Sequence, residues 1–557
     1  MKYLTCYTKT LAVIILAGIM SNFVACTDLD EKPYSVISKE DYEFTDKDIQ
    51  SMFSPVYSNL RNVYWGWNGL FDIQEESSDL IMTPLRIGVG WGDLYITMHK
   101  HTYHSYVDHF WTIWNYSYAG INACNKLLEQ EIVQSSESSV AQLRAYRALY
   151  YYFLFDMFRN VPLETVYTVP DGYLPEQVDP QKTFDFIVSE LNSVKPILAT
   201  LDDEYGKINS ATCNMILAKM YLNHNAWFGT TDETYYQKAY DEVNEVINSS
   251  KYSLASDYSD PFKADLSSCS EVIMAIPFDL TYATGNYCSN KCLHGGSRTT
   301  FGLNGTPWNG SCAVPQFIDT YDNDDSRFEA TWLMGVQYDQ AGKVIMVGSD
   351  TLNYTKFVNS IDNPGAYPMQ GARFRKFEIV SGVSGTYADD QQLFRLTDAY
   401  MIKAECLLRL GAYNGENKQT AANIVTTIRQ RAFKNAPEKA TRTVADLERG
   451  SVYKYGLAET QLDTSGKPLF IGTNEGGADI ELGGFLDDLA WEFVGEHHRR
   501  QDLIRFRLTS KNMNVYNGKS WFCKKAETDV SDTHKNIFPI YQSFMDANIK
   551  LKQNPGY

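Results

Sequence analysis

After Val140 the chain runs AQLRAYRALYYYFLFDMF, and Leu143, Tyr146, Tyr150, Phe153, Leu154 and Met157 recur at the three- and four-residue spacing of one helical face. Arg159-Asn160-Val161-Pro162 closes this helix, because the residue before a proline avoids the helical region. The same periodicity predicts helices over about 183–199, 210–227, 235–249, 393–410, 419–433 and 486–507. In the segment 210–227, Ala211, Met215, Ala218 and Leu222 share a face whose small residues let a partner helix approach closely. Helices of this length joined by short connectors predict a mainly α fold and suggest stacked helical pairs, although their period does not by itself establish a repeat of the tetratricopeptide kind.

Between about 250 and 390 the pattern changes. Gly, Asn, Asp, Ser and Tyr accumulate, as in TYATGNYCSNKCLHGGSRTTFGLNGTPWNG, and helical periodicity survives only around 314–321. The segment 83–106 has the same character, with Gly88, Gly90, Trp91 and Gly92 followed by Tyr95, His99, His101, Tyr103 and His104. Irregular segments this long inside a compact chain are commonly functional. No linker composition separates them from the helices, so residues 41–557 read as one domain with a loop-rich insert at about 250–390.

The N-terminus has the pattern of an export signal: Lys2 and Lys9, then the apolar run from Leu11 to Met20, too short to span a bilayer as a helix. It ends Phe23-Val24-Ala25-Cys26, which looks like the lipobox of bacterial lipoproteins and predicts cleavage after residue 25 with lipid on Cys26. Residues 26–40, opening with Thr27-Asp28-Leu29-Asp30-Glu31, then read as an acidic tether. Of the remaining cysteines, Cys124, Cys213 and Cys406 lie in helical apolar patterns and read as core thiols. One bridge is expected among Cys288, Cys292 and Cys312, with its pairing open.

Composition narrows the function. The net charge of −18 argues against nucleic acid, which is bound through clustered Lys and Arg. The aromatic fraction of 14% is mainly rings at helical spacing that belong to helix packing, and a small remainder on Gly-rich loops are candidates for a ligand. No P-loop, no dinucleotide fingerprint, no H-E-x-x-H and no G-x-S-x-G motif occurs, and no cofactor is expected. Asp322-Asn323-Asp324-Asp325 lacks the glycine and terminal glutamate of a calcium loop and reads as a polar turn. His99, His101 and His104 read as hydrogen-bonding loop histidines rather than metal ligands. Glu492 and Glu496, one helical turn apart and followed by Arg499, Arg500 and Arg505, read as ion-pairing residues.

Several stretches, in order, resemble one family. LRAYRALYYYFLFDMFRNVPL (143–163) is similar to the signature helix of SusD/RagB-family proteins. Further matches are the small-residue helix from Ser210 to Tyr221, FRLTDAYMIKAECLLRLG (394–411), Ile428-Arg429-Gln430-Arg431-Ala432, and EFVGEHHRRQDLIRF (492–506). The chain closes on Asn536-Ile537-Phe538-Pro539-Ile540 and Gln553-Asn554-Pro555-Gly556-Tyr557, again as the family closes. Thr397 and Asn160 depart from the usual Ala and Gly.

The resemblance implies a SusD-like tetratricopeptide-like scaffold, a surface-exposed lipoprotein of the cell outer membrane. It also implies a ligand-capturing lid on a TonB-dependent SusC-like transporter that binds oligosaccharides, or peptides in some members, without chemistry of its own. A sugar offers apolar C–H faces and a rim of hydroxyls, so its site wants flat rings with a few placed polar groups. Trp91, Tyr95 and Trp308 are the candidate platforms, because each lies in a Gly-rich loop. Arg86 and Arg373 are candidates for bidentate bonds to vicinal hydroxyls, and Asp72, Asp79, Tyr287, Cys288 and Tyr400 complete the candidate set. The acidic charge favours a neutral oligosaccharide, whether fructan, α-glucan, xylan or another. The alternatives are a peptide-binding RagB-like lid, a helical glycoside hydrolase, or a purely structural partner of the transporter.

Overall fold

The computed structural model describes residues 45–557 apart from 66–67, 363–364, 457, 463–467, 473–475, 511–512 and 518–532. The signal segment, Cys26, most of the tether and Cys523 lie outside the described residues. The chain divides into a unit ending at Asp48 and a second unit, 49–557. In the first, the Asp48 carboxylate accepts hydrogen bonds from the Thr45 N–H and hydroxyl at 2.9 and 2.6 Å. All that follows concerns the second.

Its helices are α1 (Ser54–Trp65), α2 (Leu70–Glu76), α3 (Asp93–His99), α4 (Asp108–Leu128), α5 (Glu137–Phe158), α6 (Pro180–Leu198), α7 (Ser210–Phe228), α8 (Thr234–Asn248), α9 (Cys288–Cys292), α10 (Leu396–Leu410), α11 (Lys418–Gln430), α12 (Gly483–Phe493) and α13 (Arg499–Arg505), with shorter turns between them. The long ones stack in file: α1 on α4, then α5, α6, α7, α8, α10 and α11, each packed on its predecessor. This is the expected scaffold of neighbouring helical pairs. Local chemistry sets the ends. Ser136, Asp179 and Asn209 cap α5, α6 and α7 by accepting backbone N–H bonds, and Gly229 closes α7 in the left-handed region at φ +65°. Gly120 in α4 lies against the Tyr150 ring of α5, where a Cβ would come within 2.2 Å.

Among the short strands are β1 (Ile81–Met82), β2 (Val272–Ile276), β3 (Cys312–Ala313), β4 (Trp332–Leu333), β5 (Arg373–Phe374) and β6 (Gln391–Arg395). Antiparallel pairs join β1 to β3, β6 to β2 and β4 to β5.

Two predicted helices are corrected. The segment 393–410 is helical only from Leu396, because residues 391–395 pair with β2 instead. The segment 486–507 is two helices, broken where Gly495 and His497 take φ +81° and +68° and the Phe374 ring packs against Gly495. The expected bridge is corrected too: Cys288, Cys292 and Cys312 are free, buried thiols. Cys288 and Cys292 sit four residues apart on α9, and Cys312 packs beneath Gly371. Burial pushes the Cys288 thiol well above its ordinary pKa.

The signature stretches meet in a buried ionic network. Arg395 pairs with Glu271, Glu492 and Glu496, Arg431 with Glu271 and Glu492, Arg327 with Asp325 and Glu492, and Lys376 with Glu496. Glu492 and Glu496 are thus ion-pairing residues, as expected, but the partners the spacing offered are corrected: Arg499, Arg500 and Arg505 pair instead with Asp79, Asp156 and Glu405.

Candidate functional site

The β1–β3 pair carries the loop after α2 against the central insert, with Ile81 opposite Ala313. Arg86 and Arg373 lock the two together. Arg86 donates from Nε to Gly310 O at 2.9 Å and from Nη1 to Gln370 O at 2.8 Å. Arg373 donates from Nη2 to Pro368 O at 2.6 Å and more weakly from Nη1 to the carbonyls of Gly310 and Ser311. Both are at most 1% exposed. This corrects their expected role: the guanidinium groups face backbone carbonyls and shape the loops instead of presenting donors to a ligand.

The loop they hold bears Trp308. Its backbone N–H bonds to Asn290 O at 2.7 Å, and those of Asn309 and Gly310 bond to Leu293 O and Lys291 O at 2.7 and 2.6 Å. The 308–310 segment is therefore laid along the carbonyls of α9 and its end. The half-buried Trp308 ring stacks on that of Tyr287, centroids 5.6 Å apart and 24° from parallel. Trp91, also half-buried, fastens to the same loop by donating from Nε1 to Trp308 O at 3.0 Å. Gly310 packs closely here, since a Cβ would lie 3.0 Å from the Trp91 indole and from Lys291 O. Tyr95 is corrected: it lies on α3 instead of in a loop, is buried, and meets Trp91 edge-on at 5.6 Å from beneath. Four of the candidate residues, Trp91, Tyr95, Tyr287 and Trp308, thus form one aromatic cluster.

Beneath it lies a charge cluster the sequence did not reveal. Lys291 Nζ contacts Asp72 Oδ1 at 2.5 Å and Glu76 Oε1 at 2.8 Å, and sits 4.1 Å from the Tyr95 ring centroid. Tyr95 OH and His109 Nε2 also bond to Asp72, at 2.9 and 3.2 Å. Burial disfavours each charge, but the opposite charges prevail: Lys291 titrates well above the ordinary lysine range and Asp72 well below the carboxylate range. Asp72 is therefore a positioning residue under the platform. Cys288 is buried on α9.

Asp79 and Tyr400 are used elsewhere. Asp79 is fully buried and pairs with Arg499 at 2.7 Å and with Tyr455 OH at 2.6 Å. Tyr400 packs against the core from α10. His101 contacts Ser77 O and lies on Tyr516, and His104 is exposed; His99 is corrected, since it ends α3 buried with both ring nitrogens without a hydrogen-bond partner among the described residues. Among the described residues, no group of three or more His, Cys, Asp or Glu side chains is placed to hold a metal ion. Lys439 pairs with Asp322 and Asp324, and Asp325 caps a helical turn, which makes that stretch the polar turn it resembles.

A comparison with family models matches residues 270–557 to the SusD family. Among characterised proteins, the chain is 22% identical over 541 residues to a SusD-like protein of Formosa agariphila, covering 89% of both chains. It is 23% identical over 468 residues to the starch-binding protein SusD of Bacteroides thetaiotaomicron, covering 75% of this chain and 72% of that one. Among solved structures, a SusD superfamily protein of Parabacteroides distasonis superposes with TM-score 0.68 at 19% identity, covering 92% of this chain and all of that one. The surface glycan-binding protein A of Bacteroides thetaiotaomicron, solved with laminarihexaose, gives TM-score 0.65 at 19% identity and the same coverage.

Proposed function

The chain belongs to the SusD family, and on that premise we propose that it captures a neutral oligosaccharide on the Trp91–Tyr287–Trp308 platform. It then passes the sugar to a TonB-dependent SusC-like transporter while tethered through lipid on Cys26 to the outer membrane. The observation that carries this reading is the half-buried Tyr287–Trp308 stack with Trp91 bonded to its backbone. Flat rings held this way match the apolar faces of pyranose rings. Neutrality of the sugar is supported by the charges nearby. Arg86 and Arg373 are turned onto backbone, and two carboxylates neutralise Lys291. The starch-binding and laminarihexaose-bound relatives agree with a glycan.

Glu492 and Glu496, the carboxylates a hydrolase reading would use, are at most 5% exposed and encased in arginine and lysine contacts. That favours capture over cleavage.

Isothermal titration of residues 27–557 with neutral glycans, among them laminari- and malto-oligosaccharides, tests the proposal. One of them should bind the wild type and bind Trp308→Ala at least tenfold more weakly. Release of shorter products would establish the hydrolase reading, and binding of peptides but no glycan the RagB-like one. Equal affinity for Trp308→Ala would remove the platform from the site.

A further inference from the structure

Arg159 follows the last residue of α5 and adopts φ +58°, ψ −60°. The Asn160 N–H folds back onto Phe158 O at 2.5 Å, so Arg159 is the centre of a γ-turn of the strained, positive-φ kind. The residue is 8% exposed, with the guanidinium over the rings of Phe155 and Trp227 at 4.3 and 4.6 Å. Among the described residues no carboxylate or hydrogen-bond acceptor reaches that guanidinium, and Nη1 is buried without a partner. Asp156, on the same helix, is taken by Arg500 at 3.0 Å and Gln74 at 2.9 Å. A strained backbone and an unpaired buried cation are two separate costs, and Gly or Asn would avoid both here.

Arg159 lines a cleft of about 1770 Å³ along the ends of α7, α10 and α13, whose lining includes the cations Arg409, Lys418 and Arg505 and the carboxylates Glu233, Glu448 and Glu481. The other named cations are already held: Arg409 and Arg505 by Glu405, Lys418 by Glu448. We propose that this cleft is a second binding site, for an oxyanion whose carboxylate or sulfate group pairs with Arg159 beside the Trp227 ring. A planar guanidinium offers paired N–H donors matched to such groups. The site shares no residue with the aromatic platform and does not rest on the platform's assignment.

The test is calorimetry and thermal melting of residues 27–557 with D-glucuronate, inorganic sulfate and, as a neutral control, D-glucose. The wild type is expected to bind glucuronate in the millimolar range and glucose in this cleft not at all. Arg159→Asn should weaken glucuronate about tenfold or more. Because asparagine tolerates positive φ, that variant should melt no lower than the wild type, so lost binding is not lost folding. Trp227→Leu should weaken glucuronate while leaving sulfate unchanged. Sulfate binding as tight as glucuronate and lost in Arg159→Asn supports the pairing and assigns the site to a free inorganic anion; preference for glucuronate assigns it to an acidic sugar. Equal affinity of both anions for wild type and Arg159→Asn, or no binding of either to the wild type, overturns the proposal.

Discussion

Trp308 and Arg86 show how differently two residues of one loop system act. Truncating Trp308 removes a half-buried ring and leaves the backbone bonds of residues 308–310 in place, so Trp308→Ala should cost the proposed glycan affinity about 2 kcal/mol with little change in the urea midpoint. Arg86→Met instead strips donors from the buried carbonyls of Gly310 and Gln370. It should lower stability by about 1–3 kcal/mol and weaken glycan binding as well, because the loop bearing Trp308 relaxes. Arg86→Lys should not restore either property, since one ammonium cannot reproduce a forked set of donors. A pair of titrations, denaturant and glycan, separates the two cases; an Arg86→Met protein of native stability would refute the clamp. Trp91 and Trp308 were singled out in the sequence because Gly-rich surroundings set them apart from the helical faces; the same reasoning put Tyr95 in a loop, where the chain forms α3. The arginines were legible only as loop arginines, since sequence does not tell which way a guanidinium points. Lys291 was not legible at all: its partners Asp72 and Glu76 lie 219 and 215 positions away.

At the scale of elements, helix periodicity located the scaffold and misjudged its interruptions. Residues 486–494 and 503–506 carry apolar side chains and the run 495–502 between them carries none; there Gly495 at φ +81° ends one helix, and its bare Cα admits the Phe374 ring. A Cβ there would sit 2.2 Å from that ring. Gly495→Ala should therefore cost about 3 kcal/mol or more, from the backbone conformation and the overpacking together, read as a shift in the urea midpoint. A shift below about 0.5 kcal/mol would mean that the break is not set by this contact. The break matters because it sends Glu492 and Glu496 towards Arg395 and Lys376 while Arg499 turns to Asp79. The stretches that carry the family resemblance are thus largely the ones that build the interior network. They made the fold legible and said little about the site. Glu492→Gln leaves Arg431 and Arg395 short of a charge in a buried setting and should cost about 3–5 kcal/mol by the same measurement.

For the molecule as a whole, the buried titratable groups fix how stability varies with pH, and they pull in two directions. His99, His101 and His497 are held neutral by burial, which lowers their pKa values from 6.5 to about 3, 4 and 3. A depressed base takes up protons on unfolding below its ordinary value, so these histidines lower stability as pH falls from 6.5 towards 4. Glu492 and Glu496, where burial is outweighed by Arg395 and its neighbours, stand at about 2 and remove further stability between 4.5 and 2. Glu75 and Asp389 work the other way. Burial raises both to about 8, so the unfolded chain ionises them first and stability drains away as pH rises from about 4 to 8. The growing net negative charge adds to that loss. Stability should therefore peak between about pH 5 and 6.5 and decline on both sides. Glu75→Gln isolates the alkaline limb, because the amide oxygen can keep accepting the His497 N–H, 2.9 Å from Glu75 Oε1, and cannot ionise. The variant should match the wild type near pH 4.5 and exceed it by up to about 3 kcal/mol at pH 7. Urea titrations at half-unit steps from pH 4 to 8 measure this directly, and parallel curves for the two proteins would show that Glu75 is already ionised in the fold.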